Sequence, residues 1–320
     1  MEVWLWPGNV YLDAALFGLA LVLDLLLPEP PNAVHPVVWM GKCIAFFERT
    51  GLRQGMRAQF VWGLILAVAL PLFFAVVAGA AAFGLRQLSP AAYVIVGAVL
   101  LRSVFTVRGL GRAGLRVEKA LSQGHVEAAR HDLRSLVSRD TSQLSPTQAA
   151  GAAVESVAEN TTDSFVGPWL AFAVFGIPGA FCYRAVNTLD SMIGYRGKHE
   201  WLGKASARLD DALNFFPARI AAMLLLTAGA ARGLDVKQGW AVMRRDRRLT
   251  ASPNAGWTMG AAAGLLGVGL EKPGHYLLGK GLREPAARDI GTAVGLCYAV
   301  AILGAILAGG VAMARACVAA

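Results

Sequence analysis

Charge is scarce in this chain: 16% of its 320 residues are Asp, Glu, Lys or Arg, where a soluble domain carries about 25%. Set against 56% hydrophobic residues, that shortage excludes an ordinary water-soluble domain and points to the bilayer. Several motifs are missing as well. No GxxxxGK[ST] occurs, which excludes a P-loop nucleotide site, and no GxSxG, which excludes a nucleophile elbow. The four cysteines Cys43, Cys182, Cys297 and Cys317 form no CxxC pair and no zinc-type spacing, so they read as apolar packing residues in a reducing setting. Met1 to Asn9 holds Glu2 but no Lys or Arg. It therefore lacks the basic region of a cleavable signal peptide, and the apolar run behind it is expected to stay.

What is present is a series of apolar runs separated by polar stretches. Residues 10–27, 60–85, 91–107 and 292–314 are read as membrane spans, since a helix crosses the hydrocarbon core with roughly 20 residues. Three apolar segments are shorter. Residues 168–183 are interrupted by Gly176-Ile177-Pro178-Gly179, which favours a re-entrant or broken element. Residues 217–231 are of marginal spanning length, and the glycine-rich 257–270 either dips into the membrane or packs on its neighbours. The expectation is a single all-α, polytopic membrane domain over 1–320. The net charge of +9 sits in the polar stretches; residues 102–139 hold eight basic and three acidic residues. Basic loops beside spans mark the cytoplasmic side. That accounts for the charge without nucleic acid, since no aromatic-interleaved basic face is present.

The polar stretches carry the candidate chemistry. Ser138-Arg139-Asp140-Thr141 precedes Glu155, Glu159, Asn160 and Asp163. On a regular helix Glu155, Glu159 and Asp163 share one face, where like charges repel unless a cation sits opposite. Such oxygen ligands suit Mg²⁺, and a solvated acidic face is the alternative. Next, Arg184, Asn187, Asp190 and Ser191 share a helical side at the end of an apolar segment, serving either a ligand or a buried hydrogen-bond network. Asp210-Asp211 leads through Asn214 to Pro217 and Arg219 and is a cation-ligand pair or a helix cap. Four arginines flank Asp246, and Ser252-Pro253-Asn254 precedes Trp257. Guanidiniums there suit phosphate or propionate, and a topology anchor is the competing reading. His35 is an acid-base candidate or a structural loop histidine. Asp13 and Asp24, within or at the ends of the first apolar run, raise a solute or ion carrier as an alternative function.

Taken together, Leu25 to Pro36, Ser138 to Thr141, Glu155 to Pro168, Tyr183 to Tyr195, Asp210 to Arg219 and Ser252 to Trp257 resemble the CobD/CbiB family, in order and wording, along nearly the whole chain. That resemblance implies a cobalamin-biosynthesis membrane enzyme of the adenosylcobinamide-phosphate synthase type. Such an enzyme joins adenosylcobyric acid to (R)-1-amino-2-propanol or its O-phosphate by an ATP- and Mg²⁺-dependent amide bond. It implies the inner (cytoplasmic) membrane, with the site facing the cytoplasm, and is compatible with self-assembly and with association with other late cobalamin enzymes. Under it, Asp140, Glu159, Asp163 and Asp190 are the expected catalytic groups. Ser138, Arg139, Thr141, Asn160, Arg184, Asn187, Tyr195, Asn214, Arg219, Ser252 and Asn254 are expected to bind substrate or phosphate. Glu155, Glu159, Asp163, Asp210 and Asp211 are expected to hold Mg²⁺. A signalling membrane protein of the AmpE type is the related non-biosynthetic alternative.

Overall fold

The computed structural model describes residues 10–52, 55–195 and 197–319, with side chains as far as Arg315. The segment Met1 to Asn9 and the Cys317 side chain lie outside what is described. Among the described residues the chain is helical almost throughout, with one two-stranded sheet, so it is an all-α membrane protein. Two compact units result, one made of residues 1–106, 167–213 and 305–320, the other of 107–166 and 214–304.

Unit 1 contains α1 (Val10–Leu26), α2 (Pro36–Gly51), α3 (Met56–Leu88), α4 (Pro90–Arg102), α8 (Gly167–Ile193) and α9 (Lys204–Leu213). Helix starts follow local chemistry. His35 caps α2 through Nδ1, which accepts from the Val37 N–H, and Pro36 occupies the first turn, where its missing donor costs nothing. Ser89 both ends α3 and caps α4, with Pro90 behind it, so a single residue makes the hairpin corner. α4 has 13 residues, about 20 Å at 1.5 Å each, short of the roughly 30 Å core. The span expected at 91–107 is therefore corrected: the helix stops at Arg102, whose guanidinium donates to the Leu27 and Pro28 carbonyls at 2.9 and 2.5 Å. α8 replaces the short segment expected at 168–183 with a longer helix, broken where the sequence indicates, because Gly176 adopts φ 68°. The core gathers Ile44, Leu66, Leu70, Leu189, Ile193 and Leu202. Gly63 is needed there, since a Cβ would lie 1.9 Å from the Leu202 carbonyl oxygen.

The first unit also holds an ion-pair network. Asp13, 1% exposed, accepts from Arg86 at 3.0 Å, from the Tyr93 hydroxyl at 2.6 Å and from Arg315 at 2.5 Å. Both of its oxygens are thus engaged.

Unit 2 contains α5 (Arg108–Ser122), α6 (Val126–Leu133), α7 (Pro146–Thr161), a π-helical turn (Thr162–Val166), α10 (Phe215–Ala231), α11 (Val236–Asp246), α12 (Ala255–Leu266), the hairpin β1 (Leu270–Lys272) and β2 (Tyr276–Leu278), and the first part of α13 (Ala287–Ala319). The basic stretch expected as a loop over 102–139 is largely helical: α5 buries Leu110, Ala113, Val117 and Ala120 at helical spacing. α7 opens with a capping box in which Ser145 accepts from the Gln148 N–H and Gln148 accepts from the Ser145 N–H. The glycine-rich segment packs on its neighbours. Gly256, Gly260 and Gly264 recur every four residues on α12, and a Cβ at Gly264 would stand 2.6 Å from Gln238 backbone of α11.

Among the described residues, three helical stretches qualify as membrane spans by length and composition, α3, residues 146–193 and residues 287–315, with a fourth if α9 and α10 count as one broken span.

Candidate functional site

The polar residues assemble within each unit. In unit 2, α7 carries Glu155 and Glu159 a turn apart, and the segment after α6 brings Arg139 to Glu155. The Arg139 Nη2 to Glu155 Oε2 distance is 3.2 Å, and Glu155 is 5% exposed. Three buried atoms of this pair have no hydrogen-bond partner: Glu155 Oε1, Arg139 Nε and Arg139 Nη1. Such atoms cost roughly 1–3 kcal/mol each unless a ligand engages them. The hairpin contributes residues that sequence reasoning missed. The Tyr276 phenol lies against Glu155, and burial first, then the Glu155 and Glu159 carboxylates, push its pKa far above the ordinary range. It is a donor at any physiological pH. Lys272 is paired with Tyr276 across the sheet and is also within electrostatic reach of Glu155. The only available signal was the turn glycine Gly274 between short β-prone runs.

Asp163 falls in the π-helical turn that follows α7 rather than on α7 itself. Among the described residues no three His, Cys, Asp or Glu side chains stand together as a metal cage. Glu155 and Glu159 offer a carboxylate pair, a donor set that fits Mg²⁺ when phosphate oxygens complete its shell.

Around this group the remaining expected residues divide. Ser138 is exposed beside Arg139. Thr141 is fully buried, and its hydroxyl donates to the Arg130 carbonyl at 2.8 Å, a contact that holds the segment in place. Asp140 is exposed and accepts from the Ser142 N–H at 2.9 Å and the Ser142 hydroxyl at 3.0 Å. Those bonds hold its carboxyl below the usual range, which makes it a poor proton acceptor. Asn160 donates back to Ser156.

A second polar group of unit 2 unites Arg219 of α10 with the start of α12. Arg219 donates to Asn254 Oδ1 at 3.1 Å and to the Phe215 carbonyl, while the Ser252 hydroxyl accepts from the Asn254 N–H at 3.2 Å. Asn214, buried, begins α10. Of the arginines around Asp246, Arg245 grips that carboxylate at 2.6 and 2.8 Å, and the Gly279 N–H joins at 2.7 Å. Asp246 is therefore committed to the fold.

In unit 1 the expected polar side of α8 is real. Arg184 Nε donates to the Val104 carbonyl at 2.7 Å and its Nη1 to Asn187 Oδ1 at 3.1 Å, and Asn187 reaches Asp210 of α9 at 3.5 Å. Two blocks 23 residues apart thus meet. Asp190 sits against Gly194 at the end of the helix, where a Cβ would lie 1.9 Å from its Oδ1. Asp211 is half-buried and Tyr195 exposed. Burial lowers the His35 pKa; Glu29 opposes this, and Arg184 and Arg102 add to it. With Nδ1 accepting from Val37, the neutral ring carries its proton on Nε2 and offers a donor.

This order of polar blocks along apolar helices has close counterparts. The family model described as "CobD/Cbib protein" matches residues 17–302. The chain belongs to the CobD/CbiB family. A relative in Dehalococcoides mccartyi, named "Cobalamin biosynthesis protein CobD", is 47% identical over 268 residues, covering 84% of this chain and 87% of the relative. A relative of the same name in Geobacter metallireducens is 41% identical over 274 residues, covering 84% and 85%. No solved structure matches. The CobD/CbiB match runs across both units, so each polar group described above lies within it.

Proposed function

We propose that this chain is an ATP-dependent amide ligase of cobalamin biosynthesis, joining adenosylcobyric acid to (R)-1-amino-2-propanol or its O-phosphate in the inner membrane, with the site on the cytoplasmic side. Family membership supports the pathway, and the observation that carries a ligand-binding role is the Arg139–Glu155 pair with its three unsatisfied buried atoms. Fold stability alone would satisfy them.

The chemistry follows from the substrates. A carboxylate is a poor acyl donor, so its oxygen attacks the γ-phosphorus of ATP and ADP leaves. The amine nitrogen then attacks the acyl carbon, inorganic phosphate leaves, and the amine proton passes to a carboxylate. Arg139 and Arg219, both of unit 2, neutralise phosphate and developing oxyanion charge. Asp140, whose carboxyl is already held by Ser142, is a poor choice for that acceptor. Mg²⁺, held by Glu155 and Glu159 together with phosphate oxygens, would supply charge neutralisation at the transferring phosphoryl group. The carrier reading loses its main support, since Asp13 spends both oxygens on Arg86, Tyr93 and Arg315.

The test is an assay of purified protein with adenosylcobyric acid, each amine in turn, ATP and Mg²⁺, read by corrinoid mass. A gain matching one amine is expected. An unchanged corrinoid that is instead moved intact into vesicles sinks the ligase reading.

A further inference from the structure

Five arginines end on a buried carboxylate: Arg86 and Arg315 share Asp13, Arg139 has Glu155, Arg245 has Asp246 and Arg283 has Asp289. Arg219 and Arg247 differ. Both guanidiniums lie against the Trp257 ring, at 4.7 and 4.6 Å from its centroid, and Arg219 also lies 3.6 Å from the Phe215 ring centroid. Among the described residues neither forms an ion pair with a carboxylate. The acid nearest to Arg247 in sequence, Asp246, is already held by Arg245 and Gly279.

Two like charges against one indole repel, and the aromatic faces offset only part of that cost, about 0.5–2 kcal/mol per cation. The surrounding polar atoms sharpen the point. Trp257 Nε1 and Arg247 Nε are buried and have no acceptor. Both are donors, and tryptophan and arginine side chains have no acceptor capacity. The group that would satisfy them must accept hydrogen bonds on several sides and carry about two negative charges, which describes a phosphoryl group.

We propose that Arg219, Arg247 and Trp257 form a phosphoryl-binding cradle at the start of α12. This deepens the ligase reading, on which its biological use rests, by assigning recognition of a substrate phosphate to residues of α10, α11's end and α12. Arg219 is anchored for the task by Asn254 and by the Phe215 carbonyl, so its guanidinium is held in place before a ligand arrives. The phosphate could be that of the phosphorylated amino alcohol, that of a nucleotide, or a lipid headgroup, and these sources share the same recognition chemistry.

The experiment uses full-length protein in detergent. Binding of radiolabelled inorganic phosphate is measured by equilibrium dialysis for wild type, Arg247→Gln, Arg247→Lys and Trp257→Phe, alongside thermal melting and gel filtration. The expected result is at least a tenfold loss of affinity in Arg247→Gln. Arg247→Lys should recover part of it, because it restores charge without the fork. Trp257→Phe keeps the ring but removes the N–H, so a threefold or larger loss is expected from a protein that remains folded. Kinetics then identify the source. A rise in KM confined to the phosphorylated amine assigns the amine's phosphate, one confined to ATP assigns the nucleotide, and phosphate binding abolished by anionic phospholipid but not by either substrate assigns a headgroup. Wild-type affinity in Arg247→Gln and Trp257→Phe, or no phosphate binding by wild type, overturns the cradle. Phosphate binding that is lost in the variants while no corrinoid product ever forms leaves the cradle standing and removes the ligase reading.

Discussion

Removing Arg139 isolates a carboxylate. Glu155 is 5% exposed, its Oε2 faces Arg139 at 3.2 Å, and its Oε1 has no hydrogen-bond partner. Breaking a buried pair from one side costs about 3–5 kcal/mol, because the remaining charge stays buried without compensation. The Arg139 side chain is 20% exposed, so water reaches the pair and the lower end applies, about 3 kcal/mol. For a chain of this size that corresponds to roughly 6 °C in melting temperature. Arg139→Ala should show that loss in a thermal melt of detergent-purified protein. Arg139→Met combined with Glu155→Met should recover most of it, since apolar replacement of both partners is often neutral. Amide formation should be absent from the single and the double variant alike. The reasoning fails if Arg139→Ala melts within about 1 °C of wild type, or if the double variant is as unstable as the sum of its parts.

Glu159→Ala should abolish amide formation while membrane insertion and melting stay near wild type, as read by product mass and membrane fractionation. Asp163→Ala, in the π-helical turn that follows, should lose amide formation likewise. Gly264→Ala places a Cβ 2.6 Å from Gln238 backbone, so about 1–3 kcal/mol of stability should be lost, visible as a lower melting temperature. Burial acts to raise the Asp246 pKa, but the Arg245 hydrogen bonds and the Gly279 N–H outweigh it and the net shift is downward. A group with a depressed folded pKa contributes stability that is full above its unfolded value and is lost as pH falls through the folded one. Acid melting below about pH 4 should therefore be shallower in Asp246→Asn than in wild type.

Long apolar runs made α3 and α13 legible, because burial in lipid demands continuous hydrophobicity and the helical period adds nothing to it. The break at Gly176 was legible for a related reason: Gly and Pro178 together signal a backbone that leaves the helix. Arg184 and Asn187 were readable as partners since i, i+3 spacing is local. What was not readable depends on distant packing. The meeting of Asn187 with Asp210 needs α9 laid beside α8. The approach of Tyr276 to Glu155 needs a hairpin whose strands are three residues each, below any periodic signal. The π-helical turn is invisible as well, because its wider winding leaves no mark in composition. α5 was hidden by its arginines, which lie opposite a face of small residues.

Burial alone does not distinguish these carboxylates, but hydrogen-bond completeness sets Glu155 apart from Asp13, Asp246 and Asp289. Asp13, Asp246 and Asp289 are each under 5% exposed, and each has both oxygens engaged: Asp13 by Arg86, Tyr93 and Arg315, Asp246 by Arg245 and Gly279, Asp289 by Arg283 and the Ala286 N–H. Their full shells leave nothing for a ligand, and removing any of them should cost stability first. Glu155, equally buried, has an oxygen left over, and the arginine that faces it has two nitrogens left over. Unused bonding capacity on a buried group calls for an explanation; in the Asp13 network it falls on the Nε atoms of Arg86 and Arg315 and not on the carboxylate. The same criterion, applied to donors, separates Arg247 and Trp257 from Arg245 and Arg283, whose guanidiniums end on carboxylates. Among the incomplete shells of unit 2, which include the Thr162 hydroxyl, one lies around a carboxylate and one is made only of donors. A phosphate anion would complete the second, whereas the Glu155 oxygen of the first calls for a donor or a cation.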